Sequence, residues 1–133
     1  MIYPAISIRQ PWAEAIISVG KNIENRTWKC PEKYLNRWVL IHAGKELDRE
    51  ANTEFYTELR TVLQTHPPRG GIVGAMKILS GHEMNLHVGP DGNRWASGLC
   101  FNWELARARY VPFLPCKGKL GFFQVDYPFE LND

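Results

Sequence analysis

The chain of 133 residues carries 16 Lys/Arg against 14 Asp/Glu, with 44% apolar residues and five tryptophans. That length fits one domain, residues 1–133, able to bury a core without disulfide or metal staples. No apolar run approaches the ~18 residues of a membrane-spanning helix, and Met1-Ile2-Tyr3-Pro4 opens no secretory signal; the expected setting is the cytoplasm, with no membrane partner. Cys30, Cys100 and Cys116 are odd in number and form no C-x-x-C pair, which argues for a reducing compartment and against a disulfide framework. Charge is uneven along the chain: residues 1–45 hold seven Lys/Arg and three acids, whereas 46–66 hold two and five. A basic first third beside an acidic segment suggests one face suited to a polyanion.

Ala5-Ile6-Ser7-Ile8-Arg9 alternates as a strand does. Pro11 suits a helix start, and Trp12, Ala15/Ile16 and Val19 give 11–19 a helical stripe that Gly20 ends. Ile23 to Trp28 reads as a second strand with Glu24, Arg26 and Trp28 on one face. Residues 37–43 are apolar on both faces, as in a strand lying between a core and a covering helix. From about Glu46 to Thr65, Leu47, Ala51, Phe55, Leu59 and Val62/Leu63 recur at helical spacing, with acids in the first turns where the helix dipole favours them. Gly71 to Leu79 predicts a strand, and Gly89-Pro90-Asp91-Gly92-Asn93 a turn-rich loop. A long strand follows from Leu99 towards Val111, with Pro112 and Pro115 interrupting it, and a last one spans Lys119 to Val125. The expected class is α+β: a small barrel of about six strands, a short helix after the first strand and a longer helix packed outside.

Lys21, Glu24 and Arg26 stand where the short helix hands over to the second strand. Glu24 and Arg26 share a strand face about 6–7 Å apart, and Lys21 can swing over them. Two cations around one carboxylate either pair off as an ion cluster or leave positive charge for a phosphate or base edge. Trp12, beside Arg9 and Gln10, is the tryptophan best placed to stack an unpaired base. His42 and Lys45 close the third strand around Gly44; they line the same cleft, or His42 is a strand-end histidine bonded to backbone.

Other chemistry is weakly supported. His82-Glu83 and His87 resemble a zinc helix, but a five-residue step turns the imidazoles about 140° apart, so no metal or cofactor is expected. No G-x-S-x-G or phosphate-loop motif occurs. Gly118-Lys119-Leu120-Gly121 has a G-x-x-G form without the helices such a clamp requires, and close backbone approach explains its glycines more simply.

Ser7-Ile8-Arg9-Gln10-Pro11-Trp12 followed by Gly20-Lys21-x-x-Glu24-x-Arg26-x-Trp28 resembles the ASCH domain of the PUA-like superfamily. Leu40-Ile41-His42-Ala43-Gly44-Lys45, Gly71-Ile72-Val73-Gly74 and Pro115-Cys116-x-Gly118-x-Leu120-Gly121 look like later landmarks of the same family. The resemblance implies a β-barrel with a cleft between barrel and helix, lined by the G-x-K-x-x-E-x-R signature, and RNA binding connected with transcription or translation. The signature's glycine position, two before the lysine, holds Val19 here, with Gly20 next to Lys21. Relatives resembling acetylcytidine amidohydrolases carry a threonine nucleophile where this chain has Glu24, and a carboxylate does not replace that hydroxyl in acyl transfer. The expectation is therefore a monomeric nucleic-acid binder, RNA foremost. Arg9, Lys21, Arg26 and Lys45 would meet phosphate, Gln10 and Glu24 a base edge, and Trp12 a base face, with His42 nearby. The alternatives are a hydrolase on RNA or a modified nucleoside, with Lys21 and Glu24 as acid–base pair, and a module whose basic face binds an acidic protein.

Overall fold

Strand β1 (Ile2–Gln10) divides its side chains between two cores: Ile6 and Ile8 enter one, and Ala5 enters the other. The computed structural model describes residues 1–82 and 93–133, with side chains described for 1–80 and 93–133. Helix α1 (Trp12–Ser18) follows β1, then β2 (Ile23–Arg26), β3 (Trp38–Leu47), α2 (Glu58–Gln64), β4 (Gly71–His82), β5 (Phe101–Pro115) and β6 (Phe122–Asp126). The strands form one mixed sheet in the order β2-β5-β4-β3-β1-β6, with only β1 and β3 parallel.

The all-apolar reading of β3 is explained by its position in the middle of this sheet. Val39, Ile41 and Ala43 join the core that also holds Ala13 and Ile16 of α1, while Trp38 and Leu40 join the one closed by Phe123, Val125 and Tyr127. Strand β5 serves both cores. Its ladder with β4 shifts register three times, and such bulges bend a strand. Trp103 and Leu105 thus reach the first core while Val111 and Leu114 pack on the second.

The class is α+β, but the expected closed barrel is not formed: among the described residues β2 pairs only with β5 and β6 only with β1. Side chains, not ladder hydrogen bonds, bring the two ends of the sheet together. Trp28 and Trp103 meet Phe122 at 5.9 and 5.8 Å between ring centroids, and Arg26 Nη2 donates to the Ser7 carbonyl at 2.7 Å.

The long helix predicted over 46–65 shrinks to α2. Strand β3 runs on to Leu47, which pairs with Gln10. Asp48 Oδ1 then accepts from the Glu50 amide, and Asn52 Oδ1 from the amides of Glu54 and Phe55; local side-chain bonds of this kind compete with the helix ladder. Leu59 and Val62 are buried, but Phe55 is exposed, so the apolar stripe is real only in its last turns. Strand β5 also passes through Pro112 to Pro115, where the sequence predicted an interruption.

Candidate functional site

A cleft of about 800 Å³ opens where the ends of β1 and β3, the start of α1, strand β2 and the segments around residues 50 and 95 meet. Gly20 ends α1 in the left-handed region (φ 78°), a conformation costly for other residues, and the chain delivers Lys21 to the floor of that cleft. There Lys21 Nζ lies 3.1 Å from Glu24 Oε1, and Arg26 Nε 2.9 Å from Glu24 Oε2. Lys21 also donates to the Ile23 carbonyl. The expected convergence of these three residues is found, with Glu24 and Arg26 on one strand face.

The cluster is largely occupied with itself. Lys21 and Glu24 are buried, while Arg26 stays 23% exposed with part of its guanidinium free of these bonds. Burial works against ionisation of Glu24, but the neighbouring Lys21 and Arg26 charges and their hydrogen bonds outweigh it and hold the carboxyl below its ordinary range. A carboxylate fixed in its charged form by two cations has no proton to give near neutral pH and little basicity. This weighs against Lys21 and Glu24 as a reacting acid–base pair.

Aromatic rings line the cleft beside this cluster, with Lys21 Nζ 5.5 Å from the centroid of the Trp12 ring. Trp12 donates its indole N–H to Asp48 Oδ2 at 2.7 Å and stands edge-on to Tyr56 at 5.5 Å, while Tyr56 stacks on Trp95 at 4.7 Å with 5° between planes. Strand β2 positions this wall too: Asn25 Nδ2 donates to the Trp95 carbonyl at 2.8 Å, and Asn25 Oδ1 accepts from the Ser97 amide at 3.0 Å. At the rim, Arg9 and Lys45 are exposed and form no ion pair among the described residues.

Three expectations need correction. Gln10 is fully buried: Oε1 accepts from the Glu14 amide at 2.8 Å and Nε2 donates to the Pro68 carbonyl at 3.0 Å. It serves the first turn of α1, whose amides lack internal partners, and reads no ligand. His42 is buried beside the cleft and does not line it; Nε2 donates to the Cys116 carbonyl at 2.8 Å, which leaves Nδ1 to accept from Ser7 Oγ at 2.9 Å. Gly118 lets the backbone pass this pair, since a Cβ there would fall 2.3 Å from Ser7 Oγ. Nor do the described lining residues carry surplus positive charge: Arg9, Lys21, Arg26 and Lys45 are matched by Glu24, Glu46, Asp48 and Glu50.

Tyr56, Trp95 and Asp48 are site residues that the sequence reading did not assign. Their only signal was that Trp95 is one of the five tryptophans; Tyr56 and Asp48 sat inside the segment read as a helix. Among the described residues no group of three or more His, Cys, Asp or Glu could hold a metal, and no helix is long and apolar enough to cross a membrane. The His82-Glu83…His87 pattern lies outside the residues whose side chains are described. No family model matches the chain, and no curated protein matches it.

Proposed function

We propose that this protein binds single-stranded nucleic acid, RNA foremost, by taking one unpaired base into the cleft while its flanking phosphates meet Arg9 and Lys45. One observation carries the reading: a single cleft combines the Trp12–Tyr56–Trp95 wall with two exposed rim cations that form no ion pair among the described residues. Base–aromatic stacking is tolerant of sequence, and exposed cations supply the contact to the backbone. The balanced charge of the lining favours one or two phosphates over a long polyanion track. A volume of about 800 Å³ lies in the range of small-ligand sites and exceeds what one base fills. Inside, the free part of the Arg26 guanidinium is the donor placed to orient the base. Membership of the ASCH family, with its sheet left open, is part of the same proposal and rests on the Gly20-Lys21…Glu24…Arg26 run.

Titrating tryptophan fluorescence with a short single-stranded RNA tests it. Tyr56→Ala is expected to weaken binding by about 1–3 kcal/mol. Arg9→Ala with Lys45→Ala is expected to flatten the salt dependence by about 1.4 units of slope, two single-strand phosphate contacts at about 0.7 each. Unaltered affinity in Tyr56→Ala, with the protein folded, overturns the assignment of the cleft.

A further inference from the structure

Far from the cleft, at the opposite end of β3, Trp38 is surrounded by cations. Lys77 Nζ lies 5.0 Å from its ring centroid, Arg109 Cζ 4.4 Å and Arg107 Cζ 5.9 Å. Lys77 is the direct cross-strand neighbour of Trp38. The arginines arrive through an irregularity in β5: Ala75 pairs with Arg109 but Lys77 with Ala106, so two steps of β4 face three of β5. Arg107 takes up the extra residue at φ 58°, a left-handed conformation that a non-glycine side chain holds only under constraint. A bulge of this kind re-aims side chains, and here it accompanies three cations gathered around one indole.

Among the described residues, the side chain of Asp133 meets them. Lys77 Nζ is bonded to Asp133 Oδ1. That hydrogen bond, with the charges of Lys77 and Arg107, holds the Asp133 carboxyl below its ordinary range, although the residue is largely exposed. Two further features keep unused donor capacity among the described residues. The Trp38 indole N–H is buried and turned toward this carboxylate, where its interaction helps hold the carboxyl down, yet it lies short of a well-formed hydrogen bond among the described residues. The Arg107 and Arg109 side chains form no hydrogen bond or ion pair among the described residues, and both are exposed.

We propose that Lys77, Arg107, Arg109 and the Trp38 indole N–H form a second, phosphate-binding site, whose place the Asp133 carboxylate holds as a displaceable stand-in. A carboxylate has two oxygens and one charge; it engages Lys77, meets the indole donor only loosely and forms no hydrogen bond with either guanidinium among the described residues. A phosphate presents more acceptors around a tetrahedron and more charge, and guanidinium forks match it in pairs. The site is independent of the cleft: none of its residues lines it.

The test is calorimetric titration of inorganic phosphate into the wild-type chain, into Asp133→Asn, and into Asp133→Asn carrying Arg107→Gln and Arg109→Gln. If Asp133 fills the site about nine-tenths of the time, its neutralisation tightens phosphate binding about tenfold. The arginine variants are expected to abolish that gain, and Tyr56→Ala to leave it unchanged. A short RNA without a terminal phosphate identifies the source. A gain for that RNA in Asp133→Asn assigns the backbone diester, and a gain confined to inorganic phosphate assigns a free phosphate or monoester. Equal phosphate affinity in wild type and Asp133→Asn overturns the proposal, as does a gain that survives loss of both arginines. A lower melting temperature in Asp133→Asn without any gain marks a structural latch and overturns it equally.

Discussion

The two cationic clusters are built from the same residue types and behave as opposites. On the cleft floor, Lys21 is 4% exposed and both oxygens of Glu24 are taken. Around Trp38, Arg107 and Arg109 are exposed and form no ion pair among the described residues, where Asp133 is bonded to Lys77. Burial accounts for the difference. A buried charge must be matched by protein groups because desolvating it alone costs several kcal/mol, of order the whole stability of a small domain. An exposed cation bears no such demand and can wait for a ligand. The floor residues that most resemble a binding motif in sequence are thus held chiefly by the fold, while plain strand residues of β5, Arg107 and Arg109, keep open donors among the described residues.

Removing Glu24 breaks this contrast at its strongest point. Glu24→Ala leaves the buried Lys21 without its counter-charge and frees Arg26 from one of its anchors. The expected loss is about 3–5 kcal/mol, the usual consequence of stripping one partner from a buried pair. Denaturant unfolding followed by tryptophan fluorescence measures it. A loss under about 1 kcal/mol would place the floor cluster with ordinary surface pairs and erase the difference between the two regions.

Acid titration sharpens the same contrast with a smaller effect. Glu24 is held below its ordinary value of 4.5 in the folded chain, so the unfolded chain binds the proton more readily. The stability that its charge contributes is fully present above the unfolded pKa and is lost as pH falls through the lower folded one. Unfolding free energy is therefore expected to fall as pH drops below about 4.5, and Glu24→Gln to flatten part of that slope. Asp133→Asn should flatten it far less, since its exposed carboxylate is screened by solvent. Matching slopes in wild type and Glu24→Gln would mean that the floor pairing contributes nothing to acid sensitivity.

The sequence made β1, α1 and β2 legible because each has a short, unambiguous pattern: the Ile6/Ile8 alternation, a four-residue apolar step, and a glycine stop before Lys21. It also placed Lys21, Glu24 and Arg26 together, since neighbours along one strand need no knowledge of topology. What it hid depends on contacts distant along the chain. Gln10 reads as a ligand group until Pro68 and the turn of α1 are found bonded to its amide. The helical spacing from Leu47 to Leu63 conceals a strand end and a turn, because Leu47 answers to Gln10 across the sheet while Asn52 binds its own backbone. Tyr56 and Trp95 join one wall only after the chain between them has crossed the sheet. The missing closure of the barrel is equally non-local, since periodicity reports which face a residue uses and not whether the outermost strands meet.

The smallest expected effect concerns the bulge that brings Arg107 to Trp38. Arg107 occupies the left-handed region at φ 58°, whereas no such value occurs at Arg109 two positions on. Glycine tolerates that conformation without the Cβ clash, but it also frees the unfolded chain, a penalty of about 0.5–1 kcal/mol at an ordinary strand position. Arg109→Gly should therefore show at least that loss, since it also gives up the closer contact with the Trp38 ring. In Arg107→Gly the relief of about 1–2 kcal/mol of left-handed strain offsets it, and stability should hold level or rise slightly. Paired thermal melts of the two variants are enough to compare them. Equal losses would show that Arg107 bears no strain. A level Arg107→Gly beside a weakened Arg109→Gly means that the chain retains an arginine where glycine would fold as well, which is what a residue kept for its charge predicts.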